Sequence, residues 1–255
     1  MKLFSQERGE GFPVLILHGL FGMGDNWASV ASQLADRHRV VLADLRNHGR
    51  SPHDEEMTID LMTEDVLDLM DDRLLEKPVV MGHSMGGKVA MNLALKFSSR
   101  VHALIVVDIG PRTYPPQHGF ILDALEHVPL SDISRRQDAE EILTRQGLSP
   151  AIRQFLLKSL ARDEEGRFYW RFNLPAIRRN LPEIGRATPD NLQYKGPTLF
   201  IKGEKSDYIT DEDGLLIAKL FPKASLALIP QAGHWVHAEN PDAFLAVVRR
   251  FLMSV

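Results

Sequence analysis

Four side chains in this sequence have the types that nucleophilic catalysis requires: Ser84, His234, Asp108 and Asp207. Ser84 stands in "VVMGHSMGGKVAM" (79–91), between Gly82 and Gly86, where an apolar run gives way to a helical pattern. A sharp turn at that point lifts a hydroxyl clear of the backbone, and glycine on either side lets the chain pass close to itself. Gly-x-Ser-x-Gly arises by chance in roughly one chain in ten of this length, so its surroundings must decide. A serine hydroxyl is a poor nucleophile until a positioned imidazole accepts its proton. His234, in "PQAGHWVHAENP" (230–241), lies after a glycine and ahead of a final helix, where it can reach back over Ser84. His237 is its neighbour and competitor, and reads as structural, beside the helix that starts at Pro241. A carboxylate must then hold the imidazole tautomer. Asp108 ends the run "ALIVVD" and Asp207 lies in "GEKSDYIT"; the order Ser…Asp…His permits either.

The elements that position these residues follow from alternation. "PVLIL" (13–17), "RVVLA" (39–43), "PVVMG" (78–82) and "ALIVVD" (103–108) read as buried strands, as do "PTLFIKG" (197–203) and "SLALIP" (225–230). Helical patterns separate the early strands: one follows Asp25, read as its cap, and one begins at Thr58. Alternation of this kind implies an α/β fold, a mostly parallel sheet with helices on both faces. Residues 111–190 break it with "GFILDALEHV", "SRRQDAEEILTRQG" and "SPAIRQFLLKSLA", which read as an inserted all-helical lid. The expected organisation is therefore a core of residues 1–110 and 191–255, with the lid between its halves. Asp25, Asp60, Glu64 and Asp65 suit helix starts and solvated faces. Asp44 reads as ordering its own loop, with Arg46 as its partner.

This layout is what an α/β-hydrolase needs. In that fold the loop after the first long strand supplies one backbone N–H, and the residue after the nucleophile supplies another, to hold a developing oxyanion. "LHGLFG" (17–22) and the elbow nominate the amides of Leu20 and Met85. Together "HGLFG", "DLRNHGRSP", "GHSMGGKVAM", "VVDIGP" and "AGHWVHAENPD" resemble the α/β-hydrolase superfamily, specifically its bacterial YbfF-type esterases and related carboxylesterases. The resemblance spans almost the whole chain, and "FLLKSL" (155–160) in the lid shares it. It implies hydrolysis of carboxylic esters, with acyl thioesters as the alternative, through an acyl-enzyme and without metal or cofactor; an acyl pocket of limited size, lined by the lid's large apolar residues, makes short- to medium-chain esters the expected substrates. It assigns Ser84 as nucleophile, His234 as base and Asp108 as acid. The superfamily's usual acid slot, third after a glycine, holds Ser206 here, and Asp207 falls one position late. Phe155, Trp170 and Trp235 are the expected substrate-binding residues, with Leu156, Phe168 and Phe172 as further apolar candidates.

Composition narrows the alternatives. The 255 residues include no cysteine and carry a net charge of −4. Thiol nucleophiles and thiolate metal sites are excluded, and nucleic acid is not an expected partner. The first residues lack a secretory apolar region, which reads as a cytoplasmic protein without a membrane span; the oligomeric state is left open. Serine in the elbow argues against dehalogenase and epoxide hydrolase chemistry, which use aspartate there. Carbon–carbon bond hydrolases and thioesterases keep the serine triad and are not separated by sequence. Arg167, Arg171, Arg178, Arg179 and Arg186 in the lid are either a site for an anionic acyl carrier or solvated charge. A catalytically idle binder is opposed by the three chemically competent positions.

Overall fold

Aliphatic runs that are apolar at every position must be covered on both faces, and the four expected early strands and "PTLFIKG" are; "SLALIP" is not the buried strand expected, because it lies at the sheet edge with Leu226 and Leu228 exposed. The structure, a computed structural model, describes residues 1–116 and 118–255. Its strands are β1 (Ser5–Arg8), β2 (Phe12–Leu17), β3 (His38–Ala43), β4 (Val79–His83), β5 (Ala103–Val107), β6 (Leu160–Arg162), β7 (Phe168–Trp170), β8 (Thr198–Gly203) and β9 (Ala224–Ile229). Seven of them form one sheet in the order β1-β3-β2-β4-β5-β8-β9. All its pairings are parallel except that of β1 with β3.

Side-chain alternation sorts the core into two clusters. Val14, Ile16, Val40, Leu42, Met81 and Ile105 pack with α1 (Ala28–Leu34) and α10 (Pro241–Leu252). Leu15, Leu17, Val41, Val80, Leu104 and Val106 face the other way, with α2 (Ile59–Asp72), α3 (Met85–Lys96) and α8 (Asp213–Leu220). Helix starts follow local chemistry: Thr58 Oγ1 accepts from Leu61 N–H at 3.1 Å, and Asn240 Oδ1 from Ala243 N–H at 3.3 Å beside Pro241.

Between β5 and β8 the chain inserts α4 (Gly119–Glu126), α5 (Arg136–Arg145), α6 (Pro150–Leu157) and α7 (Leu174–Ile184). The expectation of an all-helical segment is corrected here, because β6 and β7 form an antiparallel hairpin. Three consecutive aromatics, Phe168-Tyr169-Trp170, favour a strand, and Gly166 at φ 80° lets the chain turn into it. Strand β1 was not expected either: "SQER" is polar and pairs along one edge only. Asp25 does not cap a helix; Met23 precedes the short 3-10 helix Gly24–Trp27, and Asp25 pairs with Arg50 at 2.7 Å. Arg46 pairs with Asp65 at 2.6 Å instead of with Asp44, and Asp65 is buried instead of solvated.

Candidate active site

Parallel strands deliver their C-terminal ends to one edge, and Ser84, Asp108 and His234 follow strands there. His83 and Val107 are register partners on β4 and β5, so Ser84 and Asp108 are the first residues past two adjacent strands. Both have φ 52°, the left-handed region that costs a non-glycine residue strain. The turn is secured by backbone bonds: Ser84 N–H donates to Val107 O at 3.0 Å and Asp108 N–H to Ile201 O at 2.8 Å. The glycines beside Ser84 are steric necessities. A Cβ on Gly82 would meet the Gly86 carbonyl at 2.1 Å, and one on Gly86 would meet the Leu17 carbonyl at 2.4 Å.

His234 leaves β9 on the loop before α9 (Val236–Glu239), and its Nδ1 lies 2.8 Å from Asp108 Oδ2. Asp108 is fully buried, and two further donors converge on its carboxylate: Gly203 N–H at 3.0 Å and the Ser206 hydroxyl. Asp207 is exposed. Of the two candidate acids, the structure brings Asp108 to the imidazole and leaves Asp207 at the surface. Two aromatic neighbours hold the His234 ring. Tyr208 stacks on it at 3.9 Å, and His83 lies 4.6 Å away, with its Nε2 2.9 Å from the His234 carbonyl. Burial pushes the His83 pKa well below its usual value, so the ring is neutral and donates that Nε2–H. His237 is half-buried, its ring stacked on Trp27 at 4.0 Å; burial of the ring lowers its pKa to about 3.

The loop after β2 is clasped from several sides. Leu45 N–H donates to His18 Nε2 at 2.9 Å, and Phe21 N–H to His48 Nε2 at 3.1 Å. Their Nδ1 atoms lie on the carbonyls of Gly19 and Arg46, at 2.8 and 2.9 Å. Burial holds His18 down to about 4 and His48 to about 3, which leaves each Nε2 free to accept. Ser159, from the inserted segment, donates to the Phe21 carbonyl at 3.2 Å, and Phe21 itself has φ 61°. Asp44 orders the neighbouring loop by accepting from Gly24 and Arg50 N–H, at 2.7 and 2.8 Å. Among the described residues, the amides of Leu20 and Met85 donate to no carbonyl or side chain.

Ser84 and His234 line one cavity of about 270 Å³. Phe155 and Trp235 line it too, 5.6 Å apart, as does Leu156. Trp170 does not: it is buried and stacked on Phe172 at 5.4 Å, and Phe172 in turn meets Phe21 at 5.5 Å. The arginines of the inserted segment pair with acids. Arg167 pairs with Asp163, Arg178 with Asp123 and Glu126, Arg179 with Glu55 and Arg186 with Glu183, while Arg171 lies 4.0 Å from Asp25. No group of three or more His, Cys, Asp or Glu among the described residues is arranged to hold a metal. No helix among them is long and apolar enough to cross a membrane.

Reasoning from sequence did not find His83, Tyr208, His18, His48 or Ser159. The histidines stand inside motifs already singled out, "GHSMG", "LHG" and "NHGRS", and a histidine beside a tight glycine turn was the available signal. Tyr208 and Ser159 carried none.

Known proteins of this architecture share the chain's length as well as its fold. It is 38% identical over 253 residues to "Esterase YbfF" of Escherichia coli, covering 97% of this chain and 96% of that protein. It is 40% identical to "sn-1-specific diacylglycerol lipase ABHD11" of Danio rerio, covering 96% of this chain and 80% of that one. A solved structure named "Marine microorganism esterase" superposes with a TM-score of 0.95 at 41% identity, over 98% of this chain and 99% of that one. The family model described as alpha/beta hydrolase fold matches residues 13–241, and the chain belongs to that family.

Proposed function

We propose that this protein is a serine carboxylesterase acting on short- to medium-chain esters. The observation that carries the reading is the buried Asp108 on His234, which shares one cavity with a strained serine. Ser84 Oγ attacks the ester carbonyl as its proton passes to His234 Nε2, whose other nitrogen is held by Asp108. The carbonyl electron pair moves to oxygen, and the Leu20 and Met85 amides receive that oxyanion. Its collapse breaks the bond to the alcohol oxygen, which takes the proton from His234. Water then repeats the sequence on the acyl-enzyme and frees the acid. Relatives named esterase and lipase over nearly the full chain support ester chemistry. The paired lid arginines speak for a small uncharged ester over a polyanionic thioester. The test is fluorophosphonate labelling with a matched panel of oxygen esters and thioesters. Wild type is expected to take one label and cleave the esters. Ser84→Ala should take none and lose several orders of magnitude in turnover, leaving roughly 10³–10⁴ over water. Labelling that survives the substitution overturns the assignment.

A further inference from the structure

The cavity beside His234 meets a second, smaller one at Ser84. This second space measures about 40 Å³ against about 270 Å³ for the first. Leu20, Ser84, His118 and Tyr208 line both, and so form the neck where they join. Beyond the neck the small cavity is walled by Met85, Lys88, Ile109, Leu181 and Ile184.

An ester astride Ser84 must place one half in each space. We infer that the small cavity takes the acyl chain and the large one the alcohol, which makes the preferred substrates short-acyl esters of bulky apolar alcohols. The inference rests on the esterase reading and adds the direction in which the ester lies. It follows from the departing oxygen's need for a proton. In the tetrahedral intermediate the former carbonyl carbon bears Ser84 Oγ, the oxyanion, the acyl chain and the departing oxygen. The proton comes from His234, so the departing oxygen must lie on the His234 side. His234 and Trp235 line the large cavity; among the described residues neither lines the small one. Met85, the residue after Ser84, lines the small one and not the large one.

Volume then sets the chain length. A single water needs about 10–15 Å³ in this measure, so the small cavity holds about three non-hydrogen atoms, the tail of a propionyl or butyryl group. Part of its wall is made of anchored groups. Lys88 is 2% exposed, donates to the Arg112 carbonyl and lies 4.8 Å from the Tyr114 ring centre. The Tyr114 hydroxyl is itself fixed between Gly110 N–H and the Tyr208 carbonyl. In the large cavity Ile121, Ile152, Phe155 and Trp235 offer an apolar bed for an aromatic alcohol.

Two isomeric esters test this with the same atoms on opposite sides of the carbonyl: 2-phenylethyl acetate and ethyl phenylacetate. Wild type is expected to cleave the first with kcat/KM about tenfold or more above the second, since overfilling a packed pocket is costly. Ile184→Ala, which enlarges the small cavity, should narrow that ratio by raising ethyl phenylacetate. Ile152→Phe, which fills the large one, should lower 2-phenylethyl acetate selectively. Rapid-quench intact mass should show an acetyl increment that is absent in Ser84→Ala. If ethyl phenylacetate is the better substrate, or if Ile152 and not Ile184 governs the acyl side, the direction is reversed and the inference fails while the esterase reading stands. If neither ester is cleaved and fluorophosphonate does not label Ser84, both fail together.

Discussion

Asp108 meets His234 from the end of β5, although the acid slot used elsewhere in the superfamily follows β8. Ser206 occupies that slot, and its hydroxyl donates to the same Asp108 oxygen that faces His234. The two positions therefore converge on one point in space, and an acid at either one reaches the imidazole. Replacing Asp108 by Asn should favour the wrong imidazole tautomer and cost up to about 10⁴ in kcat. Asp207→Asn should stay within a few-fold of wild type, because Asp207 is exposed. Adding Ser206→Asp to Asp108→Asn should recover about tenfold or more of the lost turnover by moving the carboxylate to the neighbouring slot. A crippled Asp207→Asn with a healthy Asp108→Asn would refute the geometry. That Ser84 and His234 come to one cavity was legible in the sequence because both sit in local motifs. The choice of acid was less so, since it depends on which of two loops turns its carboxylate inward, a matter of tertiary packing.

At the scale of elements, the loop after β2 matters more than its own sequence suggests. Phe21 is held at φ 61° with its N–H on His48 and its carbonyl on Ser159, so one strand-end loop and one inserted hairpin fix the segment that carries the Leu20 amide. His48 touches no reacting atom in this scheme and acts through the loop. His48→Leu, which cannot accept a hydrogen bond, should lower kcat by about 10–100-fold, somewhat less than losing an oxyanion donor outright, with KM little changed. His48→Gln keeps an acceptor and should restore part of that loss. A KM effect without a kcat effect, or no difference between Leu and Gln, would show that His48 only fills space. The central apolar strands were readable because burial on both faces demands apolar residues throughout, whereas β9 was read as buried although it is an edge strand with Leu226 and Leu228 exposed. Strand β1 and the hairpin β6–β7 were not, because short segments pairing at an edge leave too little periodicity to read. His48 escaped notice for a related reason: its partner lies 27 residues away in sequence, and only the β2–β3 pairing brings the two loops together.

The whole molecule inherits a dependence on pH from the imidazoles it buries. Burial holds His18 near 4, His48 near 3 and His237 near 3, whereas an unfolded chain binds a proton at each near 6.5. Below pH 6.5 the unfolded state therefore carries more protons than the native one, and unfolding free energy rises with pH. The stability these groups contribute is present in full above 6.5 and is lost as pH falls toward 4 and then 3. Between pH 7 and pH 5 each histidine should cost about 2 kcal/mol, a sizeable part of a typical domain's 5–15 kcal/mol. The three together should make the protein far less stable at pH 5. Urea unfolding at the two pH values measures this loss directly. His237→Phe isolates one contribution, because a phenyl ring can keep the stack on Trp27, and the Nδ1 it removes has no hydrogen-bond partner. That variant should lose about 2 kcal/mol less than wild type over the same interval. Identical losses in the two proteins would mean that His237 titrates alike in both states, and the linkage argument for it would fall.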